Sequence, residues 1–530
     1  MLLLRSDSVG HMVTVILAWI LFAGTTALSA NTTFEESGLP GCDALIAAGL
    51  GDRVVFATEL EYEVRVQVYW NLNSRLRPWC FFLPHDTTEV SRGIVALLEG
   101  SKEFRNGAGE WHIAVRSAGH NMGNTNNVEY GVTIDLFYLN QTTYDPSTNL
   151  ASVSPGSRWQ DVYAILHEHG VLVAGGRDGS VGVGGYIIGG GSSYHQSSQG
   201  FGCDTVKNFE VVLVDGTVVN ANEHHHSGLW RALKGGGSNF GIVTRFDMEA
   251  LPDNPLAFRQ RFMSAVVSAQ FVDAVVDYID NQQHIYRTDA LVAIIAHIAG
   301  EELLTTTEVN TEGLLDSPGF ARFAEIPQIA PYAQVVLPLF VLAPIGQLPS
   351  GQWDFINTIS FRNNREMLNY AIEAHRRAAE ELELEIGVGN FVSTLIFQPL
   401  PSYFADIAAQ KGGNMFSDLV RDGNAVICTT ELMIPTTEAQ YKIGVRRFHQ
   451  LFANLQRYAE SIGADHPYLD LNYADASQDP LGSYPEKHIK HIRKMAKFYD
   501  PEQKFQTRIP GGFKISRVTK DDDDDDKDEL

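Results

Sequence analysis

Glycine dominates the window from residue 175 to residue 191, and this constrains the fold more than any other stretch of the chain. Nine of its 17 residues are glycine, and most of the others are small or apolar. Glycine is costly inside a helix or a strand because it has so much conformational freedom to lose, so we predict that the window forms neither. Such backbone suits close contact with a large flat or phosphorylated ligand. No Gly-Lys-Ser/Thr follows the glycines, which excludes a Walker loop, and no strand with an acidic residue about 20 positions later completes a dinucleotide-binding unit.

A second glycine-containing turn is Val115-Arg116-Ser117-Ala118-Gly119-His120-Asn121-Met122-Gly123. Apolar, strand-like runs flank it at 111–115 and 132–136. Gly119 and Gly123 permit positive φ angles and close backbone approach, so successive N–H groups can converge on an anion. A polar hairpin loop is the alternative interpretation of this turn alone.

Together the two loops resemble the FAD-binding domain of the vanillyl-alcohol-oxidase (PCMH-type) superfamily, and within it the berberine-bridge-enzyme-like oxidases, including oxidoreductases of fungal secondary metabolism. The family pattern is an Arg-Ser-Gly-Gly-His turn, here with Ala118 at the first glycine, followed by Val-Gly-Val-Gly-Gly and a glycine triplet. Further matching motifs are Gly202-Cys203-Asp204-Thr205-Val206, Glu210-Val211-Val212-Leu213-Val214-Asp215-Gly216, Leu229 to Thr244, Leu471-Asn472-Tyr473 and Tyr499 to Phe505. The resemblance covers about 400 residues. It implies an α+β fold, with a two-part FAD-binding domain and a substrate domain in which helices cover an antiparallel sheet.

The resemblance also implies which residues bind FAD. The turn around Ser117 and the run Gly182–Gly185 are expected to present N–H donors to the pyrophosphate, and the backbone from Gly241 to Val243 is expected to contact the cofactor further along. The full predicted set is Arg116, Ser117, Ala118, Gly119, His120, Asn121, Val181, Gly182, Gly184, Gly185, Gly241, Val243 and Asn472.

His120 occupies the position at which family members attach the flavin covalently through its 8α carbon, so we expect a histidyl-FAD. Bicovalent relatives carry a cysteine four residues before the first glycine of Val-Gly-Val-Gly-Gly, and here that position is Asp178. We therefore expect a single covalent bond. Val181 matches a family position where valine leaves oxygen access to the flavin, which favours an oxidase that releases hydrogen peroxide over a dehydrogenase.

Tyr473 matches the family tyrosine that often takes a proton from the substrate while hydride passes to the flavin. A free phenol has a pKa of about 10, so this role requires an activating neighbour, which the sequence does not identify. A hydrogen-bonded pocket wall is the alternative role for Tyr473. Gln398 is a weaker candidate for a substrate contact from the second domain.

The resemblance and the positions of proline-rich breaks, such as Leu251-Pro252-Asp253-Asn254-Pro255, divide the chain into six parts. These are a signal peptide (1–30), an N-terminal cap segment (31–75), the FAD-binding domain (76–252), the substrate-binding domain (253–455), a C-terminal return to the FAD domain (456–516) and an acidic tail (517–530). Periodicity and turn signals predict the main elements. These are strand 54–56, helix 157–169, a hairpin around Asp215-Gly216, helices 272–283, 365–386 and 438–459, and strands 291–298, 334–340 and 426–434.

The N-terminus reads as a secretory signal. Arg5 precedes an apolar stretch from Met12 to Gly24, and the small residues Ala27, Ser29 and Ala30 offer a cleavage point. That stretch is too short to span a membrane, which needs about 20 apolar residues, and no later one is long enough. Sequons begin at Asn31 and Asn140 and suit glycosylation.

The four cysteines permit disulfides without making a cysteine-rich scaffold. The resemblance implies that Cys42 and Cys80 pair, which leaves Cys203 and Cys428 as expected buried thiols. His224-His225-His226 is not expected to bind metal, because three adjacent side chains cannot all face one ion. On the C-terminal helix, His488 and His491 are expected to lie on a solvated face.

The C-terminus is Asp521 to Asp526 followed by Lys527-Asp528-Glu529-Leu530. Lys-Asp-Glu-Leu is an address read by the retention receptor of the endoplasmic reticulum; an engineered tag is the alternative, since an aspartate run ending in lysine also looks like a protease site. We expect the ER lumen if this tail is native and secretion otherwise. Residues 521–530 carry eight acids and one lysine, hence −7 of the net −24, so −17 remains elsewhere. This charge argues against nucleic acid or an anionic membrane as partner.

The sequence therefore predicts a monomeric FAD-dependent oxidase of a small or medium organic natural product, with O2 as second substrate. Three alternatives stay open: an oligosaccharide oxidase, a redox-neutral cyclase with structural FAD, and a non-enzymatic resident of the ER lumen.

Overall fold

The computed structural model describes residues 36–100, 111–122 and 125–519, the side chains of 282–285 excepted. The predicted signal peptide, Gly123, the sequon at Asn31 and the acidic tail from residue 520 lie outside these residues. Asn140, the second sequon, is exposed in a loop.

Strands are distributed over the whole described chain. They are β1 (Val54–Phe56), β2 (Cys80–Phe82), β3 (His112–Arg116), β4 (Gly131–Asp135), β5 (Thr142–Asp145), β6 (Leu150–Val153), β7 (Val171–Leu172), β8 (Val206–Val212), β9 (Val218–Asn222), β10 (Ile242–Glu249), β11 (Leu251–Pro252), β12 (Leu256–Ser264), β13 (Asp289–Ile298), β14 (Glu301–Asn310), β15 (Ala333–Leu337), β16 (Trp353–Arg362), β17 (Val392–Leu400), β18 (Ala425–Ile434) and β19 (Asp465–His466).

The α-helices are α1 (Pro40–Leu45), α2 (Leu60–Gln67), α3 (Thr87–Gly100), α4 (Trp159–His167), α5 (Val183–Ile188), α6 (Gln196–Gln199), α7 (Ser227–Leu233), α8 (Ser268–Ile285), α9 (Ala321–Ala324), α10 (Leu339–Ile345), α11 (Arg365–Ile386), α12 (Phe404–Gln410), α13 (Glu438–Ser461), α14 (Glu486–Tyr499) and α15 (Lys504–Thr507).

The first half of the chain builds two main sheets. One has the strand order β1-β2-β4-β3 and the other β5-β6-β10-β8-β9. The predicted hairpin joins β8 to β9 through Asp215-Gly216, because Gly216 takes the positive φ of 82° that such a tight turn needs. In the first sheet β4 is parallel to both β2 and β3 and is buried along its whole length. The glycine-containing turn begins where β3 ends.

The second half forms an antiparallel sheet of eight strands in the order β15-β12-β14-β13-β17-β18-β16-β19. Helices α8, α11 and α13 cover one face, where Leu291, Leu395 and Cys428 join a common apolar core. Because side chains alternate along a strand, their neighbours Val292, Ile396 and Thr429 point to the other face. The predicted α+β class, with helices on an antiparallel sheet, is confirmed.

Cys42 and Cys80 form the disulfide that the resemblance implied, and Cys203 and Cys428 are buried thiols.

Helix α14 contacts α7, which belongs to the first half of the chain. Among the described helices, none is both long and apolar enough to cross a membrane. The same residues contain no group of three or more histidine, cysteine, aspartate or glutamate side chains placed to hold a metal.

Two predictions are wrong. The glycine-rich window does contain a helix, α5, because Val183 and Ile187 are buried in the apolar core and their packing offsets the unfavourable propensity of Gly184 and Gly185. His488 is buried rather than solvated, and its Nδ1 donates to the carbonyl of Met415 at 2.6 Å.

Candidate active site

A cavity of about 480 Å³ lies between the glycine loops and the uncovered face of the eight-stranded sheet. Its volume is in the usual range for ligand sites. The loops contribute one wall, and strands β13, β14, β16, β17 and β18 contribute the opposite wall. Most predicted site residues line this cavity: Ser117, Ala118, Gly119, His120, Asn121, Val181, Gly182, Gly184, Gly185, Gly241, Val243, Asn472, Tyr473 and Gln398.

Arg116 is the exception. Its buried guanidinium donates to Asp135 at 3.1 Å and to the carbonyl of Arg65 at 2.8 Å, so it does not reach the cavity. It also lies over the ring of Tyr69. The arginine of the family pattern thus anchors the end of β3 in this chain, and we correct its prediction as a cofactor ligand.

The two glycine loops touch each other directly. A Cβ on Gly182 would come within 2.4 Å of Ser117 Oγ, so only glycine permits this approach. Ser117 Oγ donates to the carbonyl of Pro155 and accepts from the N–H of Gly184. Arg158 joins the loops further, since its guanidinium donates to the carbonyls of Ser180 and Ala118.

The lining fits a flavin dinucleotide. A Cβ on Gly185 would meet no atom within 4 Å, so this backbone borders open cavity space. Among the described lining residues, Arg177 is the only lysine or arginine. A pyrophosphate here would be held by backbone N–H groups and by a neutral side-chain donor such as Asn121, which is the type of site the glycine loops predict.

His120 lies between an aromatic ring and a polar turn. Its imidazole stacks on Trp70 with ring centroids 4.6 Å apart, and its Nε2 lies 3.0 Å from Ser180 Oγ. Burial lowers the pKa of His120 to about 4. The negative charge of Asp178 opposes this shift, and the positive charge of Arg158 adds to it. The imidazole is therefore neutral at physiological pH.

The hydrogen bonds of Ser180 define which nitrogen of His120 carries the proton. Ser180 Oγ lies 2.6 Å from Asp178 Oδ1, and Asp178 also accepts from the N–H groups of Ser180 and Leu348. A carboxylate can only accept, so Ser180 must donate its hydroxyl proton to Asp178. Its oxygen then accepts from the Nε2–H of His120, and Nδ1 keeps the free lone pair.

Tyr473 has the charged neighbour that the sequence did not identify. Nη2 of Arg177 lies 2.8 Å from the phenol oxygen of Tyr473 and 2.6 Å from Oε1 of Gln398. The guanidinium can compensate negative charge on the phenol oxygen. Next to this group, Asn472 donates to the carbonyl of Tyr186 at 3.0 Å, and a Cβ on Gly189 would collide with the Asn472 side chain at 2.1 Å.

Four residues of the site were missed by sequence reasoning: Trp70, Arg177, Ser180 and Glu431. The Asp178-Gly179-Ser180 segment is an Asp-x-Ser turn and could have indicated that Ser180 bonds to Asp178. Nothing local indicates that Arg177 meets Tyr473, because 296 residues separate them.

Comparison with known proteins identifies the cofactor class. A family model described as an FAD binding domain matches residues 102–222. The FAD-dependent monooxygenase sdcF of Emericella nidulans is 31% identical over 488 residues, which cover 90% of this chain and 98% of that protein. The FAD-dependent monooxygenase drtC of Aspergillus calidoustus is 28% identical, with 94% and 96% covered.

Solved structures share the fold. BBE-like 1 of Physcomitrella patens has a TM-score of 0.71 at 16% identity, with 90% of this chain and 99% of that chain covered. Glucooligosaccharide oxidase from Acremonium strictum has a TM-score of 0.72 at 15% identity, with the same coverage. The chain belongs to the PCMH-type family of FAD-linked oxidoreductases, and its fold is that of the berberine-bridge-enzyme-like oxidases.

Proposed function

We propose that this protein oxidises a hydroxyl- or amine-bearing organic natural product with an FAD that is attached through His120, and that O2 is the final electron acceptor. The observation that carries the proposal is the position of two groups on one cavity: a neutral histidine with a free Nδ1 lone pair, and a tyrosine held by an arginine. The fungal relatives support FAD-dependent redox chemistry with O2 through their printed names, which are those of FAD-dependent monooxygenases.

Bound FAD would supply a two-electron acceptor for the hydride that leaves the substrate carbon, and its reoxidation by O2 would give hydrogen peroxide. Tyr473 would take the proton of the substrate hydroxyl, so that a carbonyl forms. Arg177 would stabilise the charge that develops on the phenol oxygen, and Gln398 would hold Arg177 in place by accepting from the same Nη2. The protein groups thus remove one proton while the second hydrogen leaves with the electron pair.

The tautomer of His120 supports the proposed histidyl attachment. Only a neutral imidazole nitrogen with a free lone pair can act as a nucleophile. Ser180 and Asp178 occupy the Nε2–H, so Nδ1 is the nitrogen we assign to the bond. Asp178 stands where bicovalent relatives have cysteine, and neither free cysteine of the described chain lines the cavity, so we propose one covalent bond.

Oxidation and monooxygenation are the two candidate outcomes. Val181 lines the cavity and favours an oxidase by the resemblance, whereas the names of the relatives favour insertion of oxygen. An oxidase releases one H2O2 for each product, and its product gains no atom from O2. A monooxygenase places one atom of O2 in the product and reduces the other to water with two electrons, which come from the substrate itself or from added NADH or NADPH, so the assay is run with and without these reductants.

The experiment is turnover in labelled ¹⁸O2 with simultaneous peroxide measurement, on a panel of hydroxylated aromatic compounds, amines and reducing oligosaccharides. We expect stoichiometric peroxide and unlabelled product from an aromatic compound with a primary or secondary alcohol, whose carbinol carbon carries the hydrogen that leaves as hydride. Labelled product without peroxide would replace the oxidase by the monooxygenase. Turnover of the sugars alone would replace it by an oligosaccharide oxidase, and product without O2 consumption by a redox-neutral cyclase.

A further inference from the structure

The cavity-facing side of the eight-stranded sheet carries buried polar atoms for which the described chain offers no hydrogen-bond partner. Glu431 on β18 is the clearest case: the residue is 5% exposed, it lines the cavity, and its Oε1 has no partner among the described residues. Thr429, two positions earlier on the same face, lines the cavity as well, and its hydroxyl is equally unpartnered within the described chain. A buried polar group without a partner is costly to keep in a fold, so such a group suggests a ligand that partners it.

A second carboxyl lies behind Glu431. Asp354 on β16 is fully buried, and neither of its carboxyl oxygens has a partner within the described chain. The register pairs Ile356 with Glu431 and Asp354 with Met433, so the two acids are diagonal neighbours on one face. Burial raises the pKa of Asp354 to about 8, with the charge of Glu431 as a further cause. Burial likewise raises the pKa of Glu431 to about 7, assisted by Asp178 from the opposite wall.

The surface between Glu431 and the Tyr473 group carries Ile396 on β17 beside Thr429 on β18. Gln398, which shares the guanidinium of Arg177 with Tyr473, pairs with Ile427, four residues from Glu431 along β18. At about 3.3 Å per residue this separation is about 13 Å. Ile396 and Ile356 line the cavity in this stretch of the sheet. The wall therefore has a polar end at Tyr473 and an acid end at Glu431, with Ile396 and Ile356 as its apolar side and Thr429 between the two ends.

We propose that Glu431, together with Thr429, forms a distal subsite that binds a hydroxyl group of an elongated, mainly apolar substrate whose other end reacts beside Tyr473. The inference rests on the proposed function for the reacting end. A hydroxyl group matches the subsite because it can both donate and accept a hydrogen bond. The carboxyl of Glu431 and the hydroxyl of Thr429 can each take either role as well, so each finds a partner in it. The isoleucine side of the wall, Ile396 and Ile356, favours aromatic or aliphatic rings over a polyhydroxylated sugar chain.

The test measures binding by calorimetry on the full chain purified with its flavin, using three probes. These are 4,4′-dihydroxybiphenyl, 4-hydroxybiphenyl, which lacks the second hydroxyl, and 4′-(aminomethyl)biphenyl-4-ol, which replaces that hydroxyl by an ammonium group. Wild type should bind the dihydroxy probe about tenfold more tightly than the monohydroxy probe. Glu431→Leu should reduce this ratio to about one, whereas Glu301→Gln, a change at an exposed acid of β14, should leave it at about ten.

A second measurement separates a binding role from a structural one. If Glu431 awaits a ligand, Glu431→Leu should raise the melting temperature without probe, because the unpartnered acid is removed. An unchanged hydroxyl preference in Glu431→Leu, or a lowered melting temperature together with a retained preference, would overturn the subsite. An ammonium probe that binds more than tenfold more tightly than the dihydroxy probe would overturn the hydroxyl class.

The experiments distinguish a failure of the distal subsite from a failure of the proposed oxidase function. A protein that shows the Glu431-dependent preference but neither flavin attachment nor turnover would retain the subsite and lose the proposed function. A protein that turns over a substrate with the same efficiency in wild type and Glu431→Leu would retain the function and lose the subsite.

Discussion

Nη2 of Arg177 lies 2.8 Å from the phenol oxygen of Tyr473, although 296 residues separate them in the chain. Arg177 belongs to the glycine-rich window and Tyr473 to the segment that follows the eight-stranded sheet. The catalytic group we propose is therefore assembled only when both parts of the chain are folded, and the same cavity receives His120 from a third segment.

Loss of the guanidinium should slow substrate oxidation. Arg177→Met should lower kcat/KM by about 10- to 100-fold at neutral pH, and Tyr473→Phe by about 10²–10⁴-fold, the usual contribution of a positioned base. Arg177→Lys keeps the charge and should recover part of the rate. Steady-state rates at neutral pH provide the measurement. Equal rates in wild type and Tyr473→Phe would show that another group takes the proton.

Removing the hydroxyl that fixes the imidazole tautomer should slow flavin attachment. In Ser180→Ala the Nε2–H of His120 loses its acceptor at 3.0 Å, so both tautomers become available. We expect attachment to be slowed by about tenfold or more, since a wrong histidine tautomer strongly impairs histidine-dependent catalysis. The measurement is the fraction of flavin bound covalently with time after FAD is added to protein expressed without it. Ser198→Ala, whose hydroxyl bonds to the carbonyl of His195, is the matched control; equal attachment in both variants would refute the role of Ser180.

Stability should decline as the pH rises from about 4 to about 8 because of two buried acids. Glu431 and Asp354 have pKa values raised to about 7 and 8 by burial, against about 4 in the unfolded chain. The folded state thus holds protons that the unfolded state has lost, so stability falls as pH rises from about 4 to about 8. Melting temperatures across this range should show a shallower decline in Glu431→Gln than in wild type. Parallel curves would mean that Glu431 is ionised in the folded protein throughout.

The disulfide between Cys42 and Cys80 should contribute strongly to stability. It closes a loop with a sequence separation of 38 residues, which corresponds to about 4 kcal/mol in the chain-entropy model. Replacing both cysteines by alanine should lower the free energy of unfolding by that amount in denaturant titrations. A reducing agent should destabilise wild type and leave the double variant unaffected; an effect of equal size on both proteins would contradict this assignment.

Local signals predicted the elements that depend on local interactions. Helix Arg365–Ile386 has the predicted bounds because an amphipathic repeat follows a capping residue, Asn364, whose side chain accepts from the N–H of Met367. Strands β12 and β14 were not predicted, because charged residues interrupt their alternation. The fold pairs these charges across the strands, as in the buried bond of 2.7 Å between Arg261 and Glu308.

Residues of the site likewise fall into two groups, those that a local sequence pattern predicts and those that it does not. The turn around His120 and the glycine window were identifiable because their function depends on backbone geometry, which leaves a glycine signature. Trp70, Arg177 and Glu431 act through contacts with distant segments, so no local pattern marks them. Arg116 shows the converse limit: it matches the family motif, yet its ion pair with Asp135 serves the fold.

The most direct measurement is the fate of the yellow colour when the purified protein is denatured in acid, for wild type and for His120→Ala, with the intact mass of each chain. The structure predicts that wild type keeps the colour on the polypeptide and gains the mass of one FAD, and that the variant releases the colour or binds none. Colour released from wild type, or colour retained by His120→Ala, would contradict attachment through His120.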